Sequence, residues 1–366
     1  VSNGFASVTS NSATLTVAAN TLQLGHGSYS LSEGVGAFNV TVERHGNAGT
    51  PVTVNYSSSD TAGLANCNPA FSGITGIASS RCDYMTAVGT LRFAAGETAK
   101  TFQLIVVDDV HIEGPENFSI ALSNPTGGVF LGNQTSATVT IMDNGNDLSG
   151  AANPIDGTSF FVTQHYMDFL NRLPDPNGFA GWTSTINNCP QGDVSCDRLA
   201  VSSGIYLSPE FRDRGYFVYK FYAGSLGRFP QYDEFMLDRA RVSGFQSDTE
   251  LEQSKLDFIA DFMNRSEFHS VYDTQTTARS FVETVLAKAG VTLANKETLI
   301  SQLQSGQKTR AEVLRLIVMH YFGYLRRNPD ALYQHWVDVL RDTGNFRAIT
   351  NGFVNSAEYR FRFGSQ

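Results

Sequence analysis

The chain is short of charge, of cysteine and of recognisable catalytic motifs. Of its 366 residues only 17% are charged, four are cysteine and two are tryptophan. No window holds 18 or more consecutive apolar residues, so no transmembrane helix is expected. Basic residues are outnumbered 26 to 35, for a formal net charge of -9, which argues against a nucleic-acid partner. There is no G-x-S-x-G, no H-E-x-x-H, no Walker loop and no dinucleotide fingerprint. The histidines (His26, His45, His111, His165, His269, His320 and His335) are scattered without ligand spacing. No catalytic residue is assigned, and no enzyme is expected. The 41% hydrophobic content is that of a globular protein rather than a disordered one. The length suits about two domains. The chain opens on Val1 without a charged leader, as expected of a mature, processed piece of something longer.

The two halves differ in kind. Residues 1–150 carry 4 basic against 11 acidic side chains, and the remainder 22 against 24, so the acidity belongs to the first half. That half alternates with period two at Phe38–Val42, Val52–Tyr56 and Ala137–Ile141. Short strands separated by Gly/Asn/Asp turns predict an antiparallel β-sandwich. A polar, Pro/Gly-containing stretch at residues 148–157 reads as a linker. Beyond it Val162, Tyr166, Phe169 and Leu170 recur at helical spacing.

The cysteines form two close pairs, Cys67 with Cys82 and Cys189 with Cys196. Neither has zinc-ligand spacing. Both are expected to be local disulfides that pin loops, which favours an oxidising compartment.

In the first half an ordered series runs Ser30-Leu31-Ser32-Glu33-Gly34, Ser59-Asp60-Thr61-Ala62, Cys82-Asp83-Tyr84, Gly89-Thr90-Leu91-Arg92-Phe93, Val107 to Phe118, and Ala137 to Asn144. This series resembles the Calx-beta domain over about residues 21–147, an immunoglobulin-like sandwich. The resemblance implies calcium bound by acidic residues at one end of the sandwich. The matching positions are Glu33, Asp60, Asp108, Asp109, Glu113, Glu116 and Asp143. Hard cations take six to eight oxygens, which clustered carboxylates supply. Asn144 and Gly145 stand where the family carries further aspartates, which removes charge from the site.

The second half repeats itself. Val162…Tyr166…Leu170-Asn171-Arg172-Leu173-Pro174-Asp175 recurs as Val218…Tyr222…Leu226-Gly227-Arg228-Phe229-Pro230-Gln231. It recurs again as Ile317…Tyr321…Leu325-Arg326-Arg327-Asn328-Pro329-Asp330. Each copy is trailed by a second element, Ser208-Pro209-Glu210-Phe211, Ser266-Glu267-Phe268 and Ser356-Ala357-Glu358-Tyr359. Such self-similarity predicts an all-α helical repeat domain over residues 158–366. It resembles the bacterial domain of unknown function 4214 family, related to phycobilisome linker domains, which implies a fold and a surface location but no reaction. Structural ion pairs are expected between Arg172 and Glu210, Arg228 and Glu267, and Arg327 and Glu358. The repeated tyrosines are expected in the core.

Residues 1–20 fit neither domain and look like the last hairpin of a bacterial immunoglobulin-like domain. Such strands need a sheet to join. They either fold back or donate a strand to a neighbouring copy, with Ser10, Ala13, Leu15 and Val17 as the assembly contacts. Head-to-tail donation builds a filament. The leading expectation is therefore a non-enzymatic extracellular structural protein of a bacterial surface filament or layer, its partner being itself. The alternatives are a calcium-dependent adhesin that binds glycan or a cell surface, and an accessory domain of a secreted enzyme.

Overall fold

A computed structural model of the chain describes residues 19–59, 76–145, 152–244, 246–290, 292–293 and 295–314, with 347, 350–351, 354–355, 360 and 362–364 near the C-terminus. The assembly contacts expected at Ser10, Ala13, Leu15 and Val17 lie outside these residues, as do Asp60, Cys67, Arg327 and Glu358.

The first half is a two-sheet sandwich. Its strands are β1 (Thr21–Leu24), β2 (Ser28–Ser32), β3 (Ala37–His45), β4 (Val52–Ser59), β5 (Val88–Phe93), β6 (Ala99–Ile105), β7 (Glu116–Thr126), β8 (Phe130–Leu131) and β9 (Ser136–Met142). One sheet has the order β6-β3-β1-β8 and the other β2-β9-β7-β4-β5. Alternate residues point inward: Leu22, Leu24, Val40, Val42, Phe102 and Leu104 meet Leu31, Val54, Phe93, Phe118, Ile120 and Val139. This burial is the physical content of the period-two pattern. Most pairings are antiparallel, but β1 runs parallel to β8 and β2 parallel to β9. The chain crosses between sheets at Gly25–Gly27, so its first strand is shared by both.

The second half has ten α-helices among the described residues. They are α1 (Thr158–Leu170), α2 (Pro176–Asn187), α3 (Arg198–Tyr206), α4 (Pro209–Asp213), α5 (Gly215–Leu226), α6 (Tyr232–Arg241), α7 (Asp248–Met263), α8 (Ser266–Tyr272), α9 (Ala278–Ala289) and α10 (Lys296–Gln304). Helices α1–α4 and α5–α8 are two copies of one unit. In each, the first helix ends on a left-handed residue, Asn171 (φ 53°) or Gly227 (φ 71°). The arginine that follows turns back onto the fourth helix. Arg172 donates from Nε and Nη2 to Glu210 at 2.8 and 2.7 Å. Arg228 donates from Nε to Glu267 at 2.7 Å and pairs with it again through Nη2. Each guanidinium also caps its own turn, on the carbonyl of Leu173 or Phe229. Each lies over the tyrosine one turn or more back, Tyr166 at 4.9 Å and Tyr222 at 5.2 Å. Both tyrosines are buried. The copies differ in the charges around the fork: Arg228 is also gripped by Glu234, where Gly178 stands in the first copy, while Arg172 lies 3.5 Å from Asp175, where Gln231 stands in the second. The disulfide Cys189–Cys196 closes the turn between α2 and α3. Cys82 is also disulfide-bonded.

The halves share a core. Met85, Ile105 and Val107 from the sandwich pack in one cluster with Ile155, Phe161, Val162, Met167 and Phe363. Around it, Arg81 donates to Asp233 of α6 at 2.6 Å and Arg92 pairs with Asp257 of α7. Part of the stretch that composition marks as a linker is built into this joint. Pro154–Asp156 form a 3-10 turn whose Ile155 is buried, and Arg198 donates to the carbonyls of Ile155 and Asp156.

The first fork is the less exposed of the two, with Arg172 side-chain exposure of 9% against 32% for Arg228. Removing one partner of a desolvated pair leaves the other charge uncompensated. Arg172→Met should lower the unfolding free energy by about 2–3 kcal/mol in chemical denaturation. Arg279→Ala, which breaks a pair 52% exposed on the arginine side, should leave it unchanged within the error of the same measurement.

Candidate metal centre

Four segments meet at one end of the sandwich. The first is the 3-10 turn Glu33–Val35 that ends β2, and its Glu33 is buried. The second is the turn at residues 79–84, which carries Asp83. The third is the loop after β6, with Asp108, Asp109 and Glu113, running into Glu116 at the start of β7. The fourth follows β9, with Asp143 and Asn144.

Sandwich packing holds these segments. Tyr84 stacks on Phe118 with ring centroids 3.8 Å apart, which fixes Asp83 beside Glu116. The Tyr84 hydroxyl donates to the Ser59 carbonyl at 2.7 Å. The amide of Val107 donates to the carbonyl of Asp83 at 2.9 Å, tying the second segment to the third. Backbone amides orient the carboxylates. Ser79 N donates to Asp83 Oδ2 at 2.5 Å and His111 N to Asp109 Oδ1 at 2.7 Å.

Two groups of carboxylate oxygens result, Glu33 with Asp109 and Glu113, and Asp83 with Glu113 and Glu116, each within 4.8 Å of one another. Glu113 belongs to both. Of the residues expected from the sequence, the structure brings Glu33, Asp109, Glu113 and Glu116 together. Asp143 is used differently: both its oxygens accept from Gly114 N, at 3.0 and 2.9 Å, and Oδ2 also accepts from Glu113 N. It shapes the loop that presents Glu113. Asp108 accepts from Asn144 Nδ2 at 2.6 Å. Asp60 lies outside the described residues. Asp83 was not among the expected ligands. The signal was its place between Cys82 and Tyr84, a carboxylate pinned by a covalent tie on one side and an aromatic anchor on the other.

The electrostatics follow from burial and like charge. Burial raises Asp83 well above the usual carboxylate range, and the charges of Glu113 and Glu116 raise it further. Burial pushes Glu116 up to about 7, with Glu113 the next cause and Asp143 and Asp109 adding to it. The donor set fits a hard divalent cation. It is all oxygen, and two oxygens about 2.4 Å from one ion are at most about 4.8 Å apart.

A folded-state pKa above the unfolded one means that the unfolded chain holds fewer protons in between, so stability falls as pH rises. In chelator, Glu116 should therefore stabilise the fold below about pH 4.5 and lose that contribution as pH rises through about 7. Its loss should be on the order of 2 kcal/mol in urea unfolding at pH 5 and pH 8. Glu116→Gln should flatten the profile. An unchanged slope would refute the burial of an ionisable Glu116.

Comparison with known proteins places this sandwich. Residues 17–145 match the family model described as the Calx-beta domain. The sodium/calcium exchanger Calx of Drosophila melanogaster is 34% identical over 117 residues, covering 32% of this chain and 11% of the exchanger. The extracellular matrix organizing protein FRAS1 of Mus musculus is 32% identical over 116 residues, 32% of this chain and 3% of that protein. The crystal structure of the calcium binding domain CBD12 of CALX1.1 is 32% identical, with a TM-score of 0.30, and the alignment covers 35% of this chain and 47% of that one. The chain thus spans about a tenth or less of the curated relatives it matches. The N-terminal sandwich is a Calx-beta domain.

Proposed function

We propose that the chain is a calcium-binding adhesion module of an extracellular or cell-surface protein, without catalytic activity of its own. The observation that carries this reading is the facing of Asp83, Glu113 and Glu116, and of Glu33, Asp109 and Glu113, at one end of the sandwich. Such a set is self-repelling without a cation. Calcium would be held by these five side chains, and it would supply the positive charge that lets all of them ionise. The donor set suits calcium better than magnesium, because flexible carboxylates from separate loops tolerate irregular coordination. The disulfide Cys189–Cys196 suits an oxidising location. FRAS1 is named for organising extracellular matrix, and the adhesion G-protein coupled receptor V1 of Danio rerio, 30% identical over 104 residues, for adhesion. We extend that role to this chain, with a surface protein or glycan as partner.

The helical half is assigned here to the domain of unknown function 4214 family and to spacing and presentation of the sandwich. Filament formation by donation from residues 10–17 rests on residues outside those described, and it is the competing outcome of the test.

Calcium at about 100 times its Kd should stabilise the full chain by about 2.7 kcal/mol, read as a rise in melting midpoint that chelator reverses. Glu113→Gln should abolish the shift, because Glu113 faces both groups; Glu283→Gln, on the exposed side of α9, should not. Immobilised chain should retain cells or glycan in calcium and release them in chelator. No midpoint shift would sink the calcium reading. Regular fibres in electron micrographs, with no retention of cells or glycan, would replace adhesion by self-assembly.

A further inference from the structure

Three aliphatic side chains stand exposed at the acidic end of the sandwich, Val35, Ile112 and Met142, with Ile112 the most open at 67%. Each sits on a segment that carries the acids. Val35 closes the turn that begins at Glu33, Ile112 precedes Glu113, and Met142 precedes Asp143. These segments are tied to one another. Met142 pairs with Ser32, the residue before Glu33. Asp143 accepts from the amides of Glu113 and Gly114, and Asp109 N donates to Glu33 Oε1 at 3.4 Å. The helical half leaves this group uncovered: Val110 abuts Gly364, but Ile112, two residues on, is open. Among the described residues of the sandwich the other large apolar side chain so exposed is Phe130, which lies at the opposite end, where β8 meets the start of β1.

The charge around these side chains is of one sign. The four basic residues of the sandwich are engaged elsewhere. Arg44 donates to the carbonyls of Asn47 and Thr50, Lys100 pairs with Glu97, and Arg81 and Arg92 hold α6 and α7. A bound cation would change what this end can meet. The three carboxylates of either group bring at most six oxygens, and amides already claim Asp83 Oδ2 and Asp109 Oδ1. An ion that takes six to eight oxygens keeps places for oxygens from outside.

We infer that the acidic end docks on an anionic lipid surface, with the cation bridging to headgroup oxygens and Val35, Ile112 and Met142 entering the apolar layer beneath. This rests on the calcium reading above and names a partner for the same site. Attachment to a membrane surface grows with the apolar area buried and with the attraction to anionic headgroups, and this end offers both once the cation is in place. Without it the acids repel the same headgroups. Glycan is the weaker fit, because among the described residues no exposed aromatic ring accompanies these side chains to stack on a sugar face. A shaped protein pocket is also the weaker fit, because the three stand on separate segments and form no groove, whereas a yielding layer accepts them singly.

The test uses the full chain, calcium chloride, and vesicles of phosphatidylcholine with or without phosphatidylserine. The chain should sediment with the phosphatidylserine vesicles in calcium and be released by chelator, and should stay in solution with phosphatidylcholine alone. Ile112→Ser and Met142→Ser should each weaken vesicle binding about five-fold. Both side chains are exposed, so calcium binding measured by calorimetry without vesicles should be unchanged in each. Phe130→Ser, at the other end, should leave vesicle binding unaltered. If the unmodified chain gives no binding heat with calcium, the calcium reading fails and this inference with it. If it binds calcium but sediments with neither vesicle, lipid docking alone is overturned and a glycan or protein takes its place. Sedimentation that both serine variants leave unchanged overturns it as well, because charge alone would then hold the chain.

Discussion

The repulsion among Asp83, Glu113 and Glu116 is the constraint that the rest of the first half must accommodate. These oxygens are held within 4.8 Å of one another, and Asp83 and Glu116 are buried. Left to itself such a cluster would splay its loops. What opposes this is packing immediately behind it. Tyr84 stacks on Phe118, Val107 bonds back to Asp83, and Asp143 grips the Gly114 amide with both oxygens. The cluster can exist only because the sandwich core is completed one residue away from it. Burial first, and the charge of Glu113 second, push Glu116 up to about 7, so that without a cation a proton takes the place of the missing charge.

The helical half solves a different problem by a related device. Here the arginines that repeat have their counter-charges built in. The arginine after the first helix of each copy anchors the fourth helix, caps its own turn and covers a tyrosine. A guanidinium can do all three at once because its donors lie in one plane while its faces remain free to stack. The second copy adds Glu234. That glutamate also closes the capping box at Gln231 of α6, so one side chain serves both helix start and ion pair. The first copy uses Asp175 as the cap of α2, and Tyr166 Oη leaves no room for a side chain at Gly178.

Much of this was legible in the sequence where burial follows a short period. Strands β3, β4 and β9 alternate because one face is core and the other is wet, and α1 and α5 carry buried residues at helical spacing. The fork arginines were legible because they repeat. Helix α2 was less so, because its apolar stripe, Phe179, Trp182 and Ile186, packs on the core while staying only partly buried. The metal-site residues were legible as a set only through an ordered motif series, and that series does not carry the surroundings of two acids. Asp143 is an acid in the right place whose oxygens are taken by backbone amides, and Asp83 is an acid whose role depends on contacts far along the chain. Neither fact is carried by local spacing. The joint was the least legible feature. Met85, Ile105, Val107 and Ile155 come from three separate stretches, and the last sits in a Pro/Gly-containing segment whose composition reads as solvent-exposed.

That joint changes what the two halves are to one another. A β-domain followed by a linker and a helical domain would move as beads on a string, with the linker setting reach. Here Ile155 and Phe363 enter the shared cluster from either end of the helical half, and Arg360 forks onto Asp156. The helical half is thus fastened at its first and last described residues against the sandwich, next to the loops that carry the acids.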